Sequence, residues 1–193
     1  MTIFQIVFHF LQGIVWNKNN SKSTTRKGKF MRNTPIIHKT AFIADGAKVM
    51  GVVKIGEESS IWYNCVLRGD IPNTEIIIGK RSNIQDGTVI HNDHNKSTII
   101  GNNVTVGHNC VIHGCVIEDE CLIGMGAIVL SGAVIKKGAI VGAGAVVKEN
   151  AIVGEKSLVV GIPAKHVKTL DETGRKQILE NANEYVELTR IHK

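Results

Sequence analysis

The stretch VTVGHNCVIHGCVIEDECLIGMGA, Val104 to Ala127, decides the fold. Aliphatic residues stand at Val106, Ile112, Ile117 and Ile123, close to six apart, with small residues between them. The same grammar runs outward in both directions. Before the stretch come Ile37, Ile43, Val49, Ile55, Ile61 and Leu67, then Ile78, Ile84 and Ile90, then Ile100. After it come Val129, Ile135, Val141, Val147, Val153 and Val159. Four residues beyond each aliphatic position a small or β-branched residue is usual, as at Cys65, Ser82, Thr88, Cys110, Cys121, Ala127, Ala133 and Ala139. Glycine often follows the aliphatic position directly, as at Gly56, Gly79, Gly101, Gly124 and Gly142.

A period of six fits neither a 3.6-residue helix nor a series of simple hairpins. It fits a parallel β-helix in which short strands are joined by tight turns and each strand points one aliphatic residue inward. Three hexads close one triangular coil of about 18 residues, and coils stack at strand spacing, roughly 4.8 Å. The apolar edges of a coil are covered only by its neighbours, so the stack is cooperative and its ends need caps. Handedness does not follow from the period. Near the C-terminus, Thr169 or Asp171 can cap a helix running to about Arg190, with Ile178, Ala182, Tyr185 and Val186 on one face. Tyr185 reads as packing rather than chemistry. The fold class is all-β, with a C-terminal α-helix. Three segments are expected: an N-terminal extension, residues 1–30, outside the fold; the β-helix, 31–168; and the helix with its cap, 169–193.

The length of 193 residues suits one domain with a sizeable core, and 43% of the residues are hydrophobic. The formal charge of +6 is misleading, because Lys18, Lys22, Arg26, Lys27 and Lys29 all lie in the extension, which has no acid. The remainder is nearly neutral, so the clustered basic face of a nucleic-acid binder is missing. The segment MTIFQIVFHFLQGIVW is too short for a membrane-spanning helix and lacks the marks of a signal peptide. No stable membrane association is expected. The four cysteines form no C-x-x-C pair and are expected to be reduced core residues of a cytoplasmic protein.

Two steps break the hexad series. From Leu67 to Ile78 the step is eleven, and from Ile90 to Ile100 it is ten. If both excesses are loops bulging from a corner, Leu67, Ile90 and Ile112 lie one coil apart. Their successors, Arg68, His91 and His113, then stack in a column. A second column on the neighbouring edge sets Asp86 beneath His108, with Gln85 beside it. Two imidazoles on adjacent coils can place nitrogens on one zinc at roughly 2.0–2.1 Å each. His108 belongs to the other column, so a three-histidine site calls for two subunits, one giving His91 and His113 and the next giving His108. A triangular prism that associates about a three-fold axis repeats such a site at each interface. The plainer alternative is that outward histidines are solvated or form a hydrogen-bonded ladder. His94, in the polar loop NDHNKST, reads as solvated or as a proton relay. His38, His166 and His192 have no such neighbours.

The segments WYNCVLRGD (62–70), IGKRSNIQDGTVIH (78–91), VTVGHNCVIHGC (104–115) and LIGMGAIVLSGAVI (122–135) resemble the γ-class carbonic anhydrases and their hexapeptide-repeat relatives. The resemblance covers most of residues 31–193. It implies a left-handed β-helix, a homotrimer, and a metal, Zn²⁺ or Fe²⁺, held by His91 and His113 of one chain and His108 of the next. It also implies an Arg68–Asp70 ion pair at the subunit contact, Gln85 orienting a metal-bound hydroxide, and Asp86 holding the interface. The implied reaction is reversible hydration of carbon dioxide to bicarbonate. The family's shuttle glutamates are replaced by Ile71 and by the loop holding Asp93 and His94, so the proton is expected to leave to buffer directly or through His94. Two other classes share the repeat: an acyl-CoA transferase or thioesterase, and a non-catalytic trimeric scaffold around a structural metal.

Overall fold

The computed structural model describes residues 34–192. The expectations for residues 1–30, and for a start at Met31, lie outside the described residues. From Ile36 onward the chain winds through twenty short strands into a parallel β-helix with three faces. The first face has seven strands, from β1 (Ile36–Ile37) to β19 (Ile152–Val153). The second begins at β2 (Phe42–Ile43) and ends with β20 (Ser157–Val160) and β21 (Lys165–Thr169), eight strands in all. The third has six, from β3 (Lys48–Gly51) to β18 (Val146–Val147).

The register is the one the hexads dictate. Ile37 faces Ile55, Ile61 faces Ile84, Ile84 faces Val106, and Ile112 faces Val129. Because strand side chains alternate in direction, one aliphatic residue per strand points into the prism. Ile61, Leu67, Ile84, Ile90, Ile112, Ile123 and Ile135 are essentially inaccessible to solvent. Full burial of such a side chain is worth about 1.5–3 kcal/mol over exposure. The small residues four positions on occupy the corners, where Cys65, Cys110, Cys121, Ala127, Ala133 and Ala139 are completely buried. All four cysteines are free, and burial pushes the Cys115 and Cys121 thiols up to about 12. The glycine after the aliphatic position has a spatial cause. A Cβ at Gly56 would lie 2.5 Å from the Gly79 carbonyl oxygen, and one at Gly79 would lie 2.5 Å from that of Gly101.

Both breaks in the series are loops, as the spacing predicts. Residues 70–75 bulge between β6 (Val66–Gly69) and β7 (Ile76–Ile78). Residues 92–97 bulge between β9 (Val89–His91) and β10 (Thr98–Ile100), closed by an Asp93–Lys96 bridge.

One element is unexpected. β21 folds back antiparallel on β20, so the expected β-helix segment ends in a reversed strand rather than in another coil. The helix α1 (Glu172–His192) follows. Asp171 caps it, with its Oδ1 accepting the Gly174 N–H at 3.0 Å. Ile178, Ala182, Val186 and Thr189 form its buried face, set against β5 (Ser60–Ile61), β8 (Asn83–Ile84) and β11 (Thr105–Val106). Tyr185 meets the Trp62 ring edge-on at 5.5 Å, a packing role. His192, outside the predicted columns, packs edge-on against Trp62 and meets the Tyr63 hydroxyl at 2.9 Å.

Candidate metal centre

His91 ends β9 and His113 ends β12 (Val111–His113), where they face each other across a parallel ladder. Arg68 of β6 faces His91 from the coil on the other side. Each of the three follows a buried aliphatic residue, so strand alternation turns it outward. The sequence therefore builds this column by register alone.

The two imidazoles lie with centroids 5.2 Å apart, and His91 Nδ1 is 3.2 Å from His113 Nε2. Their outer nitrogens are both engaged. His91 Nε2 is 2.9 Å from Asp70 Oδ1. His113 Nδ1 is 2.8 Å from the Ser131 hydroxyl, which donates to Asp93 Oδ2 at 2.7 Å. Asp70 also receives Arg68 at 2.7 and 2.8 Å. Burial pushes the Asp70 carboxyl up, but hydrogen bonds from His91 and Arg68 outweigh it and hold the group below its ordinary value. Burial, then the neighbouring His91, pushes His113 below the usual imidazole value, which keeps it neutral near pH 7. The Ser131 hydroxyl and the His94 N–H hold the Asp93 carboxyl down.

The donor set fits a divalent cation. A carboxylate only accepts, so the outer nitrogen of His91 carries its proton toward Asp70, and Nδ1 is bare on the side of His113. Two ligands at roughly 2.0–2.1 Å on a tetrahedral ion lie about 3.3–3.4 Å apart. The pair of facing nitrogens has nearly that separation. Anchoring of each ligand's far nitrogen by a carboxylate, directly or through a hydroxyl, is the support that metal-binding imidazoles generally carry.

The other predicted residues lie elsewhere. His108 is in the turn after β11, with Nδ1 3.0 Å from Asp86 Oδ2, as the second column required. Gln85 is buried at the end of β8 and donates from Nε2 to Asn83 Oδ1 at 3.0 Å. Asn83 in turn donates to Thr105 at 2.9 Å. His94 is exposed and contributes its backbone N–H to Asp93. The structure thus brings Arg68, Asp70, His91 and His113 together, and separately pairs Asp86 with His108. Among the described residues, no group of three His, Cys, Asp or Glu side chains converges as a complete metal cage.

Sequence reasoning gave Asp70 to Arg68 and did not see its second partner, His91. It also missed Ser131 and the inward turn of Asp93. Register pointed past Ser131, since Ile112 faces Val129 and His113 therefore lines up with Leu130, which leaves Ser131 in the turn that follows. Asp93 left no signal either, because a loop has no register. The two loops are tied to each other, by Asn92 Nδ2 donating to Thr74 at 2.6 Å and the Glu75 N–H donating to Ser97 at 3.1 Å.

The profile of the bacterial transferase hexapeptide family (six repeats) matches residues 97–131 and 114–149. A probable carbonic anhydrase of Methanocaldococcus jannaschii is 53% identical over 154 residues, covering 80% of this chain and 96% of that protein. Gamma carbonic anhydrase 2, mitochondrial, of Arabidopsis thaliana is 45% identical over 165 residues, covering 82% of this chain. The aligned region spans 59% of that plant protein's length. Among solved structures, a putative acetyltransferase of Bacillus cereus superposes with a TM-score of 0.81 at 40% identity, over 84% of this chain and 92% of the other. A left-handed parallel β-helix of hexapeptide repeats, with register columns in the expected order and relatives of this identity along nearly its whole described length, makes the chain a member of the γ-class carbonic anhydrase-like family.

Proposed function

We propose that the protein is a metal-dependent carbonic anhydrase-like lyase that interconverts carbon dioxide and bicarbonate at a site shared between subunits of a homotrimer. The observation that carries this reading is the pair of imidazole nitrogens facing each other at 3.2 Å, with both outer nitrogens anchored. His91 and His113 would hold the ion together with His108 from the adjacent chain. A bound Zn²⁺ or Fe²⁺ supplies Lewis acidity, which lowers the pKa of water from 15.7 to about 7.

The chain's own residues then have separate tasks. Asp70 keeps the His91 proton on Nε2, and Arg68 holds Asp70 in place. Gln85 has its amide nitrogen committed to Asn83, which leaves Oε1 as the acceptor that orients a reacting O–H. Asp86 positions the His108 ring. His94 is exposed, where an imidazole can exchange protons with buffer. The trimer is supported by a ladder of outward aliphatics on the histidine-bearing face, running Val66, Val89, Val111, Ile128, Val146. Val89 and Val111 are 41% and 38% exposed in the single chain, an apolar strip suited to a second copy. Four unpaired cysteines support a reducing, cytoplasmic setting. No described helix is long and apolar enough to cross a membrane.

Likeness to a putative acetyltransferase gives the second reading, acyl transfer from acyl-CoA with a histidine base. Metal analysis of protein purified anaerobically without chelator, combined with a carbon dioxide hydration assay and an acyl-CoA panel, separates the two. About one divalent ion per chain with hydration activity is expected. Metal-free protein that turns over an acyl-CoA would replace the lyase reading with the transferase.

A further inference from the structure

The two loops that interrupt the repeat each deliver one carboxylate to the far side of one histidine. Residues 70–75 begin with Asp70, which reaches His91 directly. Residues 92–97 carry Asp93, which reaches His113 only through Ser131. Ser131 is 8% exposed and sits on the coil beyond His113, so it is a buried hydroxyl between an imidazole and a carboxylate.

Proton accounting fixes the direction of this chain. A serine hydroxyl has one proton. Here that proton goes to Asp93, because a carboxylate can only accept. The Ser131 oxygen is left as an acceptor toward His113, so His113 must donate from Nδ1. A neutral imidazole that carries its proton on Nδ1 has a bare Nε2, and Nε2 is the nitrogen turned toward His91.

We propose that Asp93 and Ser131 act as a positioning relay that holds His113 in the Nδ1-protonated tautomer, so that its Nε2 lone pair faces the His91 nitrogen. This rests on the metal reading above and assigns Asp93 a task other than carrying protons to solvent. The loop carboxylate is turned inward and spent on orientation. The geometry of the loop supports it. The Asp93 backbone exchanges hydrogen bonds with Lys96 at 2.9 and 3.0 Å, and the His94 N–H grips Asp93 Oδ1 at 2.7 Å, so Oδ2 is presented to Ser131. Around His113 itself, the Gly114 N–H bonds the His91 carbonyl at 3.0 Å and the Gly132 N–H bonds the Gly114 carbonyl at 2.7 Å, which fixes the two coils that carry the relay.

The test has two readouts. With histidine side chains ¹⁵N-labelled, long-range ¹⁵N–¹H correlation on the metal-free trimer reports which His113 nitrogen holds the proton. Competition against a chromophoric chelator reports zinc affinity. Wild type should show His113 protonated on Nδ1. Ser131→Ala should let both tautomers appear and weaken zinc on the order of 10–100-fold. Asp93→Asn, at a half-buried loop position outside the aliphatic core, should shift both in the same direction by less. Ser131→Thr, which keeps the hydroxyl, should restore the tautomer. Wild-type His113 protonated on Nε2, or Ser131→Ala with unchanged ¹⁵N shifts and zinc affinity within about twofold, would overturn the relay. If wild type takes up no zinc but its His113 tautomer depends on Ser131, the metal reading fails and the relay stands. If zinc binds and the tautomer ignores Ser131, the relay fails and the metal reading stands.

Discussion

The coils from Ser59 to His113 and the coils from Val116 to Val159 are built on the same hexad but close their corners differently. In the second region the interior corners are Cys121, Ala127, Ala133, Ala139 and Ala145, and no insertion interrupts the series. In the first the corners are often hydroxylated. Ser59 donates to the Gly79 carbonyl, Ser82 to that of Gly101 and Thr88 to that of Gly107. Each hydroxyl also accepts a backbone N–H, those of Ser82, Val104 and Cys110. These side chains stitch one coil to the next. Thr98, in the second loop's exit, does the same between the His91 carbonyl and the Gly114 N–H. The polar stitching lies in the same coils as the two loops and the histidines, with Thr98 alone at the loop corner. The interior corners of the regular coils are apolar, and their polar links between coils are on the outside, as where Glu118 takes Lys136 Nζ at 2.7 Å and the Lys137 N–H at 3.0 Å. The comparison teaches that a repeat can host a site if the coils that carry it gain extra directional bonds.

The sharpest way to break this division of labour is to ask whether the site depends on one chain. His91→Ala and His108→Ala trimers should each lose metal completely. Refolded together in equal amounts, random mixing should restore roughly a quarter of the interfaces. Zero recovery in verified mixed trimers would mean that the three histidines belong to one chain.

The next effect concerns the core, where the two regions should not differ. Ile90→Ala beneath the histidines and Ile135→Ala in the regular coils should each cost about 2–5 kcal/mol. Denaturant unfolding checks this. A much smaller loss at Ile90 would show that the polar stitching, rather than aliphatic burial, holds the first region.

A smaller effect isolates the stitching itself. Ser82→Ala removes the acceptor of the Val104 N–H and should cost about 1–3 kcal/mol, as expected for an unsatisfied buried donor. An unchanged midpoint would make the hydroxyl corners incidental.

The smallest test lies in the regular region, where α1 is pinned by charge. Glu120 is bonded to Arg175 at 2.7 Å and to Lys137 at 3.2 Å, and the hydrogen bond from Arg175, outweighing burial, lowers its pKa. A carboxyl depressed in the folded state stabilises above its unfolded pKa of about 4.3, and the contribution is lost as pH falls through the lowered folded value. Glu120→Gln should therefore lower the melting temperature at neutral pH and flatten its fall below about pH 4.3. An identical acid limb in the two proteins would remove Glu120 from the account.

The sequence by itself determined whatever depends on register. A period of six with one aliphatic residue per strand fixes the coil, and coil arithmetic carries a residue to its neighbour without reference to contacts. So Arg68, His91 and His113 could be read as one column and Asp86 with His108 as another, across the two loops. Ser131 was not open to that arithmetic, because it lies one residue past Leu130, the register neighbour of His113. Only the tertiary structure decided what lies outside the period. The reversal of β21 depends on a free sheet edge at the end of the stack, which no residue pattern announces. The reach of Asp70 to His91 and of Asp93 to Ser131 depends on how two loops bend, with their turns through Asn73 and Asn95 at positive φ and their mutual tie at Thr74 and Asn92. A strand repeats its geometry at every step, so sequence spacing is spatial position. A loop does not, and its side chains find their partners only when the coils around it are in place.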